Sequence, residues 1–301
     1  MWRCSCAVTD SAELLRALAV PRLVGTPNHA QVRDRLKHEL TARGFAVEEH
    51  AFSGRPSRML LGTRAVIRGV NLIAQRGRPS IWLAAHYDSK GQPISMATRI
   101  IGAASLLIGA AATLVALAAG WTLIPSLAVL AVGLVILAAN RVTDHSSGAL
   151  DNATGLVTIL AILDALPKGA DVGVLFLDAE EYGLVGARAL VSERGPLLRD
   201  AAVINFDSLD DRGGSVAFLH RDGPIGRAVA AELGALQGRW LPVVVDGMAL
   251  SKGPVRECVT IMKGDWGTAR VVHTPRDTVD RLMLDGVRQV AAGVARVLAS
   301  P

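Results

Sequence analysis

Residues 172–190, VGVLFLDAEEYGLVGARAL, decide the fold because they join an apolar run, an acidic turn and a helix. The apolar run 172–177 predicts a short buried strand. Small and apolar residues over 184–190 predict the first turns of a helix. Between them, Glu180 and Glu181 follow the C-terminal end of the strand, where open α/β sheets bind ligands. On this stretch alone, the pair is either a ligand-binding site or a solvated acidic turn.

The same strand–helix alternation extends over most of the chain. It predicts an α/β fold with a mixed, mostly parallel central sheet and helices on both faces. The predicted strands cover residues 45–52, 70–74, 81–85, 172–177, 201–206, 215–219, 243–245 and 259–262. The predicted helices cover residues 11–19, 29–43, 156–166, 184–190, 224–236 and 281–298.

Composition limits the classes of function. The net charge is +5 over 301 residues, and the arginines are scattered, so we expect no nucleic-acid binding. The three cysteines, Cys4, Cys6 and Cys258, form no disulfide framework and indicate a reducing compartment. The first 20 residues lack a continuous apolar segment, so we expect no cleaved signal peptide.

A charge-free run over residues 100–140 carries much of the hydrophobic content. A membrane-spanning helix needs about 20 apolar residues, and this run predicts a transmembrane hairpin with arms 100–120 and 124–139. We therefore expect the membrane to be contacted through residues 100–139. The domain division is then 1–96 with 142–301 for the main domain and 97–141 for the inserted hairpin. The alternative is a helical hairpin buried in a soluble core.

The charges at the two ends of the hairpin predict its orientation. Lys90, Arg99 and Arg141 flank its base, whereas the tip around Trp121 carries no positive charge. The positive-inside rule places the base on the cytoplasmic side. We therefore expect a multi-pass cell-membrane protein whose main domain is cytoplasmic.

Several polar residues lie at predicted strand ends or in loops, as a metal site requires. Each has an ordinary alternative: a lone histidine is usually structural, and an aspartate before a helix is usually an N-cap. Together, two histidines and three carboxylates form a ligand set for two divalent cations with one bridging carboxylate, and a further glutamate is left as a base. The candidates are His86, Asp151, Glu180, Glu181, Asp207 and His273, and Asp88 can orient His86.

Five motifs in this order resemble the co-catalytic zinc exopeptidases, which include bacterial leucyl-type aminopeptidases, glutamate carboxypeptidases and glutaminyl cyclases. The resemblance covers nearly the whole chain outside the hairpin. The motifs are AAHYDS (84–89), GALDNATG (148–155), LDAEEYGLVGA (177–187), INFDS (204–208) and HTPRDT (273–278).

The resemblance implies a role for each candidate residue. Asp151 would bridge two zinc ions, although other divalent transition metals could replace zinc. His86 and Asp207 would complete one metal site, Glu181 and His273 would complete the other, and Asp88 would orient His86. Glu180 would be the general base that deprotonates a metal-bridging water and returns the proton to the leaving amine.

The resemblance also implies the activity, an exopeptidase that removes N-terminal residues from peptides. A carboxypeptidase or a glutaminyl-cyclase-like enzyme on the same scaffold is the alternative, and a non-catalytic membrane adaptor is a further one. Two departures from the family pattern are present. The hairpin separates His86 from Asp151, and Ser251-Lys252 stands where relatives tend to have a Ser-Asp pair.

Overall fold

A computed structural model describes residues 10–57, 60–61, 63–239 and 244–299. Cys4 and Cys6 lie outside the described residues, and so does Val243 of the predicted strand 243–245. Cys258 is a buried free thiol.

The described residues form one eight-stranded mixed sheet, which confirms the predicted fold class. The strand order is β1-β2-β4-β3-β5-β8-β6-β7. Four of the seven pairings, β4–β3, β3–β5, β5–β8 and β6–β7, are parallel. The strands are β1 (Ala46–Gly54), β2 (Ile67–Gln75), β3 (Ile81–His86), β4 (Val172–Leu177), β5 (Ala202–Leu209), β6 (Gly214–Arg221), β7 (Leu236–Gly238) and β8 (Glu257–Gly264).

Helices cover both faces of the sheet. The core on one face packs α1, α2, α5, α7 and α10, and the core on the other face packs α6 and α8. Successive residues of β3 alternate between these cores, as strand geometry requires: Leu83 faces the first and Ala84 the second. The helices are α1 (Ser11–Leu18), α2 (Pro27–Ala42), α3 (Met96–Ala119), α4 (Ile124–Ala138), α5 (Thr154–Ala165), α6 (Val185–Arg194), α7 (Pro224–Glu232), α8 (Asp246–Leu250), α9 (Trp266–Ala269) and α10 (Asp285–Ala299).

Three elements predicted in the C-terminal half of the chain differ from the structure. The helix predicted over 224–236 ends at Glu232, because Gly234 takes a left-handed backbone (φ 56°) and the chain then enters β7. Residues 244 and 245 of the predicted strand 243–245 are irregular. The last helix begins at Asp285, after Leu284 with φ 65°, rather than at position 281.

The charge-free run forms two antiparallel helices, α3 and α4, joined by a short turn. Glycines hold the two helices close together. A Cβ on Gly109 would lie 2.7 Å from the backbone nitrogen of Leu130, and one on Gly133 would lie 2.7 Å from Leu106 Cγ. Such small-residue contacts let helix backbones approach closely, as they do in membranes.

The hairpin is not buried in the core, so the soluble-core alternative is wrong. Only 17% of the most apolar window of α3 is buried. Large apolar side chains are exposed on both arms, including Leu107 (74%), Ile124 (77%) and Val135 (70%). In the described part of the chain, α3 is the one helix long and apolar enough to cross a membrane, and α4 is apolar but has 15 residues.

Candidate metal centre and active site

Adjacent strands bring four of the predicted site residues to one edge of the sheet. His86 is the last residue of β3, and Asp207 lies in β5 beside it, next to an irregularity in the β5–β8 register. Glu180 and Glu181 form the 3-10 turn Glu180–Tyr182 that follows β4. Because β4, β3 and β5 are parallel neighbours, their carboxyl ends meet at this edge.

Both glutamates are buried. Glu180 is 6% exposed and Glu181 is 2% exposed. A solvated acidic turn would leave these carboxylates in water. The structure therefore excludes the solvated-turn alternative for this pair.

The remaining two predicted residues reach the same place from loops. Asp151 lies in the turn Ala149–Ala153 just before α5, and α5 has no side-chain N-cap, so Asp151 is not acting as one. His273 follows α9 and has a left-handed backbone (φ 65°). Its carbonyl oxygen accepts a hydrogen bond of 2.7 Å from the backbone N–H of Gln92.

Asp151 faces both histidines at once. Its Oδ1 lies 3.0 Å from Nε2 of His86, and its Oδ2 lies 3.0 Å from Nε2 of His273. The same Nε2 of His273 is 3.0 Å from Oε2 of Glu181. Two buried groups result, His86–Asp151–Asp207 and Asp151–Glu181–His273, each with its potential ligand atoms within 4.8 Å of one another. They share Asp151, as a bridging carboxylate would be shared.

The donor atoms suit zinc, which is bound by imidazole nitrogens and carboxylate oxygens. Nε2 of His273 is buried and makes no hydrogen bond despite its two carboxylate neighbours. A buried polar atom without a partner is costly, and a metal ion contacted by all three side chains would satisfy it. The residues therefore fit a zinc site.

The electrostatics of the site also favour a cation. Burial raises the pKa of Glu180 well above its usual value, and Glu181 and Asp246 add to the rise against the opposing charge of His86. Burial also raises the pKa of Asp207 to about 7, with a further contribution from Asp151. These crowded, buried carboxylates repel one another. Bound divalent cations would supply the positive charge that offsets this repulsion.

Asp151 and Glu181 are ionised even without bound cations. Burial acts to raise the pKa of Asp151, but the neighbouring imidazoles of His273 and His86 hold it well below its usual value. Burial acts likewise on Glu181, but His273 and Lys90 lower its pKa to about 2. Lys90 Nζ lies 2.6 Å from Glu181 Oε2. Both carboxylates are therefore in the charged form that binds metals.

Asp88 has a broader role than the orientation of His86. Its carboxylate accepts hydrogen bonds from the backbone N–H groups of Glu180 (3.1 Å) and Glu181 (3.2 Å). His86 Nδ1 lies 3.5 Å from the same carboxylate and 3.1 Å from the Asp88 carbonyl oxygen. Asp88 thus joins the end of β3 to the turn after β4 and fixes the position of both glutamates.

The sequence analysis missed two residues that position Asp151. The carboxylate of Asp277, within the HTPRDT motif, accepts hydrogen bonds from the backbone N–H groups of Leu150 (2.7 Å) and Asp151 (3.2 Å). The fully buried Arg22 donates to the carbonyl oxygens of Tyr87 (2.7 Å) and Gly148 (3.0 Å). Arg22 thereby ties the strand end at His86 to the loop of Asp151.

A third missed residue is Asp246, the first residue of α8. It is fully buried, and neither carboxylate oxygen has a hydrogen-bond partner. Burial raises its pKa well above its usual value, with added repulsion from Asp88, Asp207 and Glu181, although His86 opposes this. A neutral Asp246 would place a proton near Glu180. No motif in the sequence marked this short helix.

A cavity of about 490 Å³ opens onto the site. Five of the predicted site residues line it, namely Asp151, Glu180, Glu181, Asp207 and His273. Most of the other lining residues are apolar, among them Phe218 and Met262. Such a cavity, with a few polar groups at one site and apolar walls, is typical of a ligand pocket.

The fold, the buried ligand groups and the family match together indicate a metal-dependent hydrolase of the exopeptidase class. The chain belongs to peptidase family M28, which matches residues 71–256. That stretch contains every predicted site residue except His273. The predicted enzyme class is thereby confirmed, and a peptidase acts on peptides. No curated protein matches the chain in sequence.

Solved structures share this fold at low sequence identity. A glutaminyl cyclase from Porphyromonas gingivalis matches with a TM-score of 0.66 and 18% identity, covering 96% of each chain. A Zn-dependent exopeptidase from Parabacteroides distasonis has a TM-score of 0.65 and 17% identity, covering 97% of each chain. A zinc aminopeptidase from Bacillus subtilis has a TM-score of 0.61 and 12% identity, covering 96% of this chain and 93% of its own.

Proposed function

We propose that this chain is a membrane-anchored, zinc-dependent aminopeptidase that removes N-terminal residues from peptides. The observation that carries the proposal is the position of Asp151. One carboxylate lies between two histidines of two buried ligand groups, and Glu180 is buried beside them without belonging to either group.

Two zinc ions would be held by the two groups. His86 and Asp207 would hold one, Glu181 and His273 would hold the other, and Asp151 would contact both. When bound, such a pair of ions polarises a carbonyl and lowers the pKa of a shared water. The adaptor alternative would be marked by a lost ligand or base, and this chain retains all of them.

Glu180 carries the proton in this mechanism. The positive charge of the ions would offset the burial and like charges that raise its pKa. Glu180 then accepts the proton of the attacking water and returns it to the leaving amine. The backbone hydrogen bond from Glu180 to Asp88 holds this turn in place during the transfer.

The cavity lining supports cleavage at the amino terminus. A free α-amine is cationic, and the cavity lining includes Glu180 and Asp265, two carboxylates outside the proposed zinc-ligand groups. Arg99 also lines the cavity and contacts His273, and its buried Nε has no hydrogen-bond acceptor. A C-terminal carboxylate could pair with it, so a carboxypeptidase is the second candidate.

A peptide panel separates these activities. Detergent-solubilised protein is expected to trim leucine from a free-amine peptide and to leave the N-acetylated peptide intact, as followed by mass spectrometry. Trimming of the acetylated peptide from its C-terminus would instead establish a carboxypeptidase. Loss of ammonia from an N-terminal glutamine, with no residue removed, would establish a cyclase.

The membrane part of the proposal rests on the exposed hairpin. The two-part domain division, 1–96 with 142–301 and the inserted 97–141, follows from it. Contiguous exposed apolar surface of this kind marks an interaction site for a membrane or a partner. The 24 residues of α3 have the length and composition of a membrane-spanning helix, whereas the 15 residues of α4 are apolar but fewer than such a helix needs.

The charge pattern supports a cell-membrane protein with its catalytic domain in the cytoplasm. We expect the full chain to stay in the membrane pellet after an alkaline carbonate wash. A C-terminal green fluorescent protein fusion should fluoresce, and an alkaline phosphatase fusion at the same position should be inactive. Release by carbonate would contradict the anchor, and the opposite reporter pattern would contradict the orientation.

A further inference from the structure

The hairpin lines the active-site cavity as well as extending from the main domain. Met96, Ile100 and Ala103 of α3 and Leu137 of α4 all line it. The rest of the lining includes apolar residues from the sheet, among them Val216 of β6. A segment that connects two proposed ligands, His86 and Asp151, therefore also borders the space where a substrate binds.

The faces of α3 have separate contacts. Residues 96, 100 and 103 recur at helical spacing and therefore share one face, which lines the cavity. Gly102, Gly109 and Ala116 share another face and are buried. Gly102 and Gly109 lie against α4.

The cavity face continues along α3 beyond the cavity. Leu107 and Leu114 follow Ala103 at helical spacing, and their side chains are 74% and 69% exposed. An apolar stripe thus runs from the site, past Ala103, onto the part of the hairpin that would contact lipid. No charged residue interrupts it after Arg99.

The base of the hairpin is also bonded to the proposed metal ligands. The backbone N–H of Lys90 donates to Oε1 of Glu181 at 3.3 Å, and Gln92 donates to the carbonyl oxygen of His273. Arg99 contacts the His273 ring. The cavity wall and the ligands are therefore parts of one connected structure, so the wall is held at a fixed distance from the reacting atoms.

We infer that the hairpin determines specificity: Ile100, Ala103 and Leu137 select peptides with large apolar N-terminal residues that lie at the membrane surface. This inference rests on the proposed aminopeptidase function. An apolar residue entering along the stripe would leave lipid for an apolar wall without passing through water. A polar or charged N-terminal residue would lose hydration against Ile100, Ala103 and Leu137, whose side chains offer no hydrogen bonds.

The first test is a substitution on the hairpin that reduces the volume of the cavity. Ala103→Phe is expected to lower kcat/KM for leucyl-p-nitroanilide by about tenfold or more, since pocket contacts of this size discriminate by about 10–200-fold. The kcat/KM for the alanyl substrate should change by less than about threefold, because the small alanyl side chain does not occupy the volume that the added ring would fill. The matched control is Ala104→Phe, which adds the same ring at an exposed neighbour outside the cavity lining.

A second variant acts in the opposite direction and covers the case in which Ala103→Phe fails to fold. Leu137→Ala should raise the ratio of kcat/KM for phenylalanyl over alanyl substrate several-fold, with zinc content unchanged. Equal effects of the two Phe variants on both substrates, together with an unchanged ratio in Leu137→Ala, would overturn the inference. Absence of any aminopeptidase activity in the unmodified chain would instead overturn the proposed function.

Discussion

Replacing Glu180 with glutamine is expected to lower kcat by about 10²–10⁴-fold, the usual contribution of a general acid–base group. Glutamine has the same shape but cannot accept the proton of the attacking water. Glu180 belongs to neither ligand group, so the variant should bind as much zinc as the unmodified chain. Stopped assays with leucyl-p-nitroanilide and zinc content measured by mass spectrometry check both parts.

The neighbouring glutamate provides the matched comparison. Glu181 lies 3.0 Å from His273 in the second ligand group, so Glu181→Gln should lose zinc as well as activity. Glu13→Gln, on the exposed side of α1, should change neither quantity. Full activity in Glu180→Gln would disprove its role as the base, and zinc loss in that variant would make it a ligand.

Replacing Asp151 with asparagine is expected to weaken zinc binding by more than about 100-fold, the upper loss seen for residues that only support a ligand. Asp151 is the residue common to both groups, with one oxygen 3.0 Å from each histidine. Asparagine would remove the negative charge and one of the two carboxylate oxygens, each of which lies beside one histidine. Activity should fall at least as far as in Glu180→Gln, and it should not return with added zinc at micromolar concentration.

The control for this variant is Asp34→Asn, because the Asp34 side chain is 71% exposed in the middle of α2 and belongs to neither ligand group. It should bind zinc and hydrolyse substrate as the unmodified chain does. An Asp151→Asn variant that retained two zinc ions would contradict the bridging role, even if its activity were low.

The sequence predicts the central part of the fold and site because the deciding signals there are local. Apolar runs predict β3 and β4, and polar site residues lie at or just after their ends: His86 is the last residue of β3, and Glu180 is three residues after β4. Parallel pairing of neighbouring strands then brings the polar ends together. The predicted residues converge in the structure for this reason, although the motif order was needed to give each one a role.

The missed residues act through contacts distant in sequence. Arg22 bonds to Gly148 across 126 positions, and Asp277 bonds to Asp151 across 126 positions. Asp246 lies in a five-residue helix with no periodic pattern. No local pattern marks a side chain whose partner is a backbone group on another element.

The predicted start of the hairpin differs from the observed one for another reason. The absence of charge placed the first arm at residue 100, but α3 begins at Met96, capped by the hydroxyl of Ser95. Arg99 is inside the helix, and its guanidinium turns into the cavity instead of remaining in solvent. The predicted start of the first arm, placed directly after Arg99, was therefore wrong. Tertiary packing places this charged side chain in the cavity, and the sequence alone does not show that.

The central claim is that two zinc ions share Asp151 in this chain, and the direct test is a metal titration of the purified full-length protein. After chelation, activity should be absent. Two equivalents of zinc should bind per chain, because each ligand group would hold one ion. Peptidase activity should rise as they bind. Full peptidase activity in the chelated, zinc-free protein, or saturation at one equivalent with full activity, would contradict this account.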